Sequence, residues 1–269
     1  MGRITKLRDL IGVIKDKVSL SKATLVSNSN TLSIHLAVLR TTTHSPSIPP
    51  DDNHLATLLS LGYGSRATAS ALVASLMDRL HRTSDSSVAL KCLVTIHHII
   101  KRGPFMLQDQ LSVFPASGGH NYLKLSAFRD GANFATVLGF FLCSSSGAID
   151  KDKQDEGVSS FTNVDLIGDT DSMVGVMEEI CKVPDSLHVD GNKLLQEIMG
   201  LVGGDFLAAV NEISLRLSEF NERRDCLSFG ESVELMCALK RLEECKERLM
   251  GLFSIKKVST ERCGVQLES

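Results

Sequence analysis

The 269-residue sequence has no tryptophan, two tyrosines and only six prolines. So few aromatic residues, with leucine, alanine and serine abundant, argue against a sandwich or barrel and for an all-α chain. Neither sign of charge is in large surplus. The formal net charge is −3 and the pI near 6.2, which removes the global basic footprint of a nucleic-acid binder. Long apolar runs are also missing. The opening MGRITKLRDLIGVIKDKV is broken by charge every second or third position, so it is no signal peptide. No stretch reads as apolar enough for long enough to span a bilayer. Gly2 invites myristoylation, but Lys6 stands where that pattern wants Ser or Thr. What remains is a chain 43% hydrophobic, enough to bury a sizeable core as one large domain or two small ones. A soluble cytoplasmic protein that at most sits on a membrane surface is expected.

The seven cysteines are odd in number and scattered, with no CxxC, which points to reduced thiols at apolar helix positions rather than disulfides or zinc. Neither a GxSxG nor a Walker loop is present. Gly62, Gly64 and Ala67 spell GxGxxA, but the preceding LATLLSL is helical and the dinucleotide fingerprint needs a strand there. Helix termination accounts for these glycines. His97 and His98 are adjacent and point about 100° apart on a helix, which defeats chelation of one metal. One is expected to pack in the core and the other to be exposed. The carboxylate pairs Glu178-Glu179 and Glu243-Glu244 read as solvated helix surface. No catalytic constellation, metal site or cofactor site assembles, and no enzyme is expected.

Apolar residues at steps of three and four predict helices almost throughout. The first covers residues 4–18, with Ile4, Leu7, Ile11, Ile14 and Val18 on one side. Others are predicted near 30–43, from Asp51 or Asp52 to the glycines of LGYG, over 65–81 and over 86–102. The fourth carries Ala69, Leu72, Val73, Leu76 and Leu80 inward. The fifth, SSVALKCLVTIHHIIKRG, is apolar nearly all round, is capped by Asp85 and stopped by Gly103-Pro104, and is therefore the central buried helix. Shorter pieces follow at 106–113, 121–128 and 133–143, then a polar mobile loop at about 144–160. Helices near 171–183, 191–202, 205–224 and 229–253 complete the chain. The expected architecture is all-α, a superhelical stack (solenoid) of antiparallel helices over residues 1–255, with a polar, frayed tail at 256–269.

One stretch stands apart, LRTTTHSPSIPPDDNHLATLL from Leu39 to Leu59. It joins two helices through a Pro/Ser-rich turn bracketed by Arg40, His44 and His54, as a loop that grips phosphate would be. Yet Asp51 and Asp52 stand at its tip.

With these features in order, the sequence resembles the ANTH domain of the clathrin assembly proteins, and most closely the plant members. The matching text is Met1-Gly2, Lys15-Asp16, RTTTH (Arg40 to His44), Pro49-Pro50, LKCLVTIHHIIKRG (Leu90 to Gly103) and LSAFRD (Leu125 to Asp130). The resemblance implies a helical superhelix that binds inositol phospholipids, especially phosphatidylinositol bisphosphate, at the cytosolic membrane. It further implies clathrin and vesicle SNAREs as partners, and residence at clathrin-coated pits and vesicles and the Golgi. The family's lipid motif is a lysine, nine residues, a lysine, one residue, Lys or Arg, then His or Tyr. Carried over, Arg40 takes the place of the first lysine, while His44 and His54 match family histidines. Asp51 and Asn53 replace the two central cations, and the interval is one residue too long. Lys22 cannot restart the motif, because Leu32 and Ile34 would then be its lysines. The exchange removes three units of charge, roughly 3 kcal/mol or about a hundredfold in affinity at an anionic surface. A weak, degenerate lipid site at Arg40, His44 and His54 is expected.

The resemblance places the first helix beside this loop. Its basic residues Arg3, Lys6, Arg8, Lys15 and Lys17, with the apolar row, suit a membrane-facing interfacial helix; alternatively the row packs on the domain. Two departures from the family remain: no tryptophan follows LSAFRD, and no DPF, NPF or DLL occurs. Leu252-Phe253-Ser254-Ile255 approaches a clathrin box but runs into Lys256. The competing expectation is a cytosolic helical scaffold that binds proteins and has lost phosphoinositide binding.

Overall fold

The computed structural model describes residues 2–26, 29–114, 158–181 and 191–261. Among these there are nine α-helices and no strand, so the all-α expectation holds. The helices predicted at 121–128 and 133–143, and most of the loop at 144–160, lie outside the described residues.

The chain divides into two compact units, Met1–Ile149 with His188–Leu201, and Asp150–Leu187 with Val202–Ser269. The first unit holds α1 (Gly2–Val26), α2 (Ser29–Thr41), α3 (Asp52–Ser60), α4 (Arg66–Arg82), α5 (Ser86–Arg102) and α6 (Phe105–Ser112). Their starts are chemically marked. The Asp51 carboxylate accepts from the backbone N–H groups of Asn53 and His54, Ser65 Oγ from that of Thr68, and Asp85 from those of Ser87 and Val88. Each satisfies a first-turn donor that has no partner inside its helix.

Every residue of α5 from Ser87 to Ile100 is buried, which makes it the core of this unit. Its neighbour α4 buries Ala69, Leu72, Val73, Leu76 and Leu80, the row read from its period. At Gly62 a Cβ would lie 2.5 Å from the Leu107 side chain, so this glycine serves close packing as well as the end of α3.

His97 and His98 depart from expectation, since both are buried. A helix packed on all sides hides even adjacent residues that point in different directions. Burial, with the charges of Arg102 and His97, draws His98 down to about 4, so it is neutral at physiological pH. Among the described residues no His/Cys/Asp/Glu group is arranged to hold a metal ion. Cys92, Cys181 and Cys245 are buried free thiols, whereas Cys226 and Cys237 are exposed.

In the second unit α7 (Asn163–Ile180) packs against α9 (Phe229–Glu261). Phe161, Leu166, Ile167 and Phe220 form a buried cluster there. Arg241 joins the two helices through Glu178, at 2.9 and 2.7 Å, and through Asp171.

The segments predicted at 191–202 and 205–224 are one helix, α8 (Lys193–Glu222), continuous through Gly203-Gly204. Two glycines cost a helix about 1 kcal/mol each, which burial of Ile198, Val202, Ile213 and Phe220 outweighs. The fused helix is long and apolar enough, by length and composition, to cross a membrane, contrary to the expectation that no stretch is. It buries Asp205 and Arg216, the latter paired with Glu212 and Asp169, as a helix of a folded core does.

Candidate phosphoinositide site

The turn after α2 is where phosphate binding was expected, and it is held by the protein's own charges. The last carbonyls of a helix lack intrahelical donors and carry the negative end of its dipole. Two cations meet them here. Arg79 of α4 donates from Nε to Thr42 Oγ1 at 2.6 Å and from a terminal nitrogen to Thr42 O at 2.7 Å. Lys91 of α5, wholly buried, donates from Nζ to Thr43 O at 3.0 Å and to Thr43 Oγ1 at 2.9 Å. Burial pushes the Lys91 ammonium down to about 8, and Asp16 and Asp85 oppose that shift.

His44 is held by a third charge. Its backbone N–H donates to Asp16 Oδ2 at 2.9 Å, and its ring Nδ1 lies 2.6 Å from Asp16 Oδ1. This clamps α1 to the turn, at the point where Gly12 faces the His44 backbone and an added Cβ would come within 3.1 Å of His44 Cβ. Thr42 to His44 is therefore a junction at which α1, α4 and α5 meet the end of α2.

The other two expected residues stand apart from this junction. Arg40 is exposed at the end of α2, and its side chain makes no hydrogen bond or ion pair with a described residue. His54 sits in the first turn of α3, partly exposed, with Nδ1 3.8 Å from Asp51 Oδ1. Asp51 itself caps α3 at 3.0 and 3.2 Å, so a carboxylate already occupies the helix N-terminus where an outside phosphate would bind.

Of the expected membrane-facing residues of α1, Lys15 and Lys17 are exposed; the side chains of Arg3, Lys6 and Arg8 lie outside the described residues. The inward side is made by buried Gly12 and half-buried Asp16, Ser19 and Ala23, whereas Ile11, Ile14, Val18 and Leu25 face out. The apolar row of the described part is thus not core; Ile14 is 53% and Val18 60% exposed.

Sequence reasoning missed the cations that hold the turn, Arg79 and Lys91. A lysine inside an otherwise apolar helix was the available signal, since a buried ammonium requires partners. It also missed a groove of about 740 Å³ formed by α1, α2, α4 and the segment before α5, into which Lys15, Lys22, His35, Arg79 and Arg82 project.

Residues 33–113 match the ANTH domain family. The chain is 54% identical, over 93% of its length and 75% of the other's, to an Arabidopsis thaliana protein named for clathrin assembly, At4g40080. A second protein so named, At5g10410 of the same plant, is 32% identical over 91% of this chain and 79% of its own. The Arabidopsis clathrin coat assembly protein AP180 is 30% identical over 48% of this chain and 20% of its own. The chain belongs to the clathrin assembly protein family and carries its ANTH domain.

Proposed function

We propose that this chain is a non-enzymatic adaptor of clathrin-mediated membrane traffic, held at the cytosolic face of coated pits and vesicles. The observation that carries this is its likeness, across 93% of the chain, to a relative named for clathrin assembly. Clathrin and vesicle SNAREs are the partners, and inositol phospholipid is the membrane ligand. The contact made by the turn is weak, since Asp51 caps α3 and Asp16 engages His44, leaving Arg40 and His54. The outward apolar row of α1, bordered by Lys15 and Lys17, supplies a second membrane contact of the interfacial kind.

The experiment is capture of clathrin by the purified chain, together with its position in cells relative to coated pits. Retention of clathrin and colocalisation support the adaptor. Failure of both sinks it. A second reading, a helical protein-binding scaffold without phosphoinositide binding, is favoured by one observation, the self-capped α3. It holds if vesicles carrying phosphatidylinositol bisphosphate sediment no more protein than neutral vesicles.

A further inference from the structure

We infer that the anion site of this chain has moved from the turn to the groove between α1, α2 and α4, where it seats the multiply phosphorylated inositol ring of a membrane lipid. This deepens the adaptor reading and rests on it for the lipid as ligand.

The groove gathers four permanent cations, Lys15, Lys22, Arg79 and Arg82, in a protein whose net charge is −3. The two carboxylates that line it are already engaged. Asp85 accepts from the backbone of Ser87 and Val88 and from Ser87 Oγ at 2.5 Å; Asp78 pairs with Arg82 at 3.2 Å. Neither Lys15 nor Lys22 pairs with a carboxylate among the described residues, and both are exposed. Arg79 is committed to Thr42, so its charge, rather than its donors, faces the groove. The exposed Arg82–Asp78 pair is of a kind worth little in water, which leaves Arg82 able to exchange its partner for a phosphate. Hydroxyls of Ser19, Ser75, Thr83 and Ser84 add neutral donors around the same space.

Size and charge select the ligand class. A volume of about 740 Å³ exceeds what one phosphate needs and suits a substituted sugar-sized ring. Four cations against the carboxylates of Asp78 and Asp85 leave a surplus of two positive charges, which favours a ligand bearing phosphomonoesters, each with roughly two negative charges near neutral pH.

The surroundings of the groove also commit the ligand to a membrane rather than to solution. Lys15 and Lys22 stand on one border of the outward strip of α1 that exposes Ile11, Ile14, Val18 and Leu25, and Lys17 stands on the other. A ring seated beside Lys22 thus has an apolar surface next to it for the acyl region. That is the arrangement of an interfacial helix, and a soluble inositol phosphate would have no use for it.

The test sediments the full chain with vesicles of phosphatidylcholine containing either phosphatidylinositol bisphosphate or phosphatidylserine at matched surface charge. The wild type should bind the bisphosphate vesicles about tenfold better than the serine vesicles. Lys22→Glu with Arg82→Glu should abolish that preference, lowering bisphosphate binding by about tenfold or more, with the thermal midpoint unchanged because both side chains are exposed. Val18→Asp should weaken vesicle binding while leaving calorimetric binding of free inositol trisphosphate as in wild type. The groove is overturned if the double variant binds bisphosphate vesicles like wild type, or if it loses serine and bisphosphate vesicles equally. The membrane source is overturned if free inositol trisphosphate binds as tightly as the vesicles. Clathrin capture by the same double variant separates the two proposals. Capture retained with the lipid preference unchanged leaves the adaptor standing and removes the groove, whereas no capture by wild type removes the adaptor.

Discussion

The carboxylate of Asp16, in the middle of α1, bonds twice to one residue of the turn, the backbone N–H and the ring of His44. The pair lies partly buried, which makes it the fastener of the first helix. Asp16→Ala should destabilise the protein by about 2 kcal/mol, as loss of charge-assisted hydrogen bonds does, and expose α1 to limited proteolysis. Asp16→Asn retains an acceptor and should cost less. Denaturant midpoints for the three proteins check this, and equal midpoints would remove the fastener.

Lys91 gives stability a pH dependence with a definite sign. Its ammonium titrates at about 8 when folded, against the ordinary 10.5 of an exposed lysine. Between those values the unfolded chain holds more protons, so the contribution of this residue to stability rises with pH through that window and is flat below it. Lys91→Met should remove the rise, while lowering stability at pH 7 by about 1–3 kcal/mol because Thr43 O loses its donor. Urea unfolding at several pH values from 7 to 10 reads both effects, and parallel curves for the two proteins would contradict the assignment.

At the turn, charge can be restored in two ways that differ in cost. Asp51→Lys with Asn53→Arg rebuilds the family pattern but deletes the cap of α3, costing about 1 kcal/mol of stability. Asp52→Lys with Asn53→Arg adds the same three charges and keeps the cap. Both should raise affinity for phosphatidylinositol bisphosphate vesicles by about one to two orders of magnitude, steeply reduced by salt. Only the first should lower the thermal midpoint. A gain that is equal for phosphatidylserine vesicles would mean that the turn offers charge without a phosphate geometry.

Gly62→Ala tests the packing of α6. The new methyl would meet Leu107, fully buried, at 2.5 Å, so a loss of about 1–3 kcal/mol is expected. Gly64→Ala, where the nearest atom is Leu61 O at 3.2 Å, should cost less. Thermal unfolding of the two variants decides, and a neutral Gly62→Ala would return this glycine to a purely terminating role.

The helices were legible because local chemistry and tertiary burial agree in them. Asp51 and Asp85 cap where they were expected to, and the inward row of α4 is buried residue for residue. Legibility failed where a partner decides. Nothing in the spacing of α1 says that its apolar residues face out while Gly12 and Asp16 face in, since that follows from His44, 28 residues beyond Asp16. The Gly203-Gly204 pair reads as a break until the side chains flanking it are seen to be buried. His44 was read as a ligand residue from its company in the sequence, and its actual company, an aspartate of another helix, is invisible there. The groove was illegible for the same reason, as Lys22 and Arg82 are 60 positions apart.

Asp51 has a further consequence for how the turn can respond to lipid. Its carboxylate is tethered beside the amides it caps, so its local concentration is fixed by the chain and independent of the anions in the cell. An outside phosphate arriving there does not fill a vacancy but must displace an incumbent, and its affinity is the difference between two anions competing for the same donors. Such a turn is expected to answer lipid only weakly, through Arg40 and His54. A graded response to the membrane is expected instead where exposed cations stand without a partner carboxylate among the described residues, as Lys15 and Lys22 do.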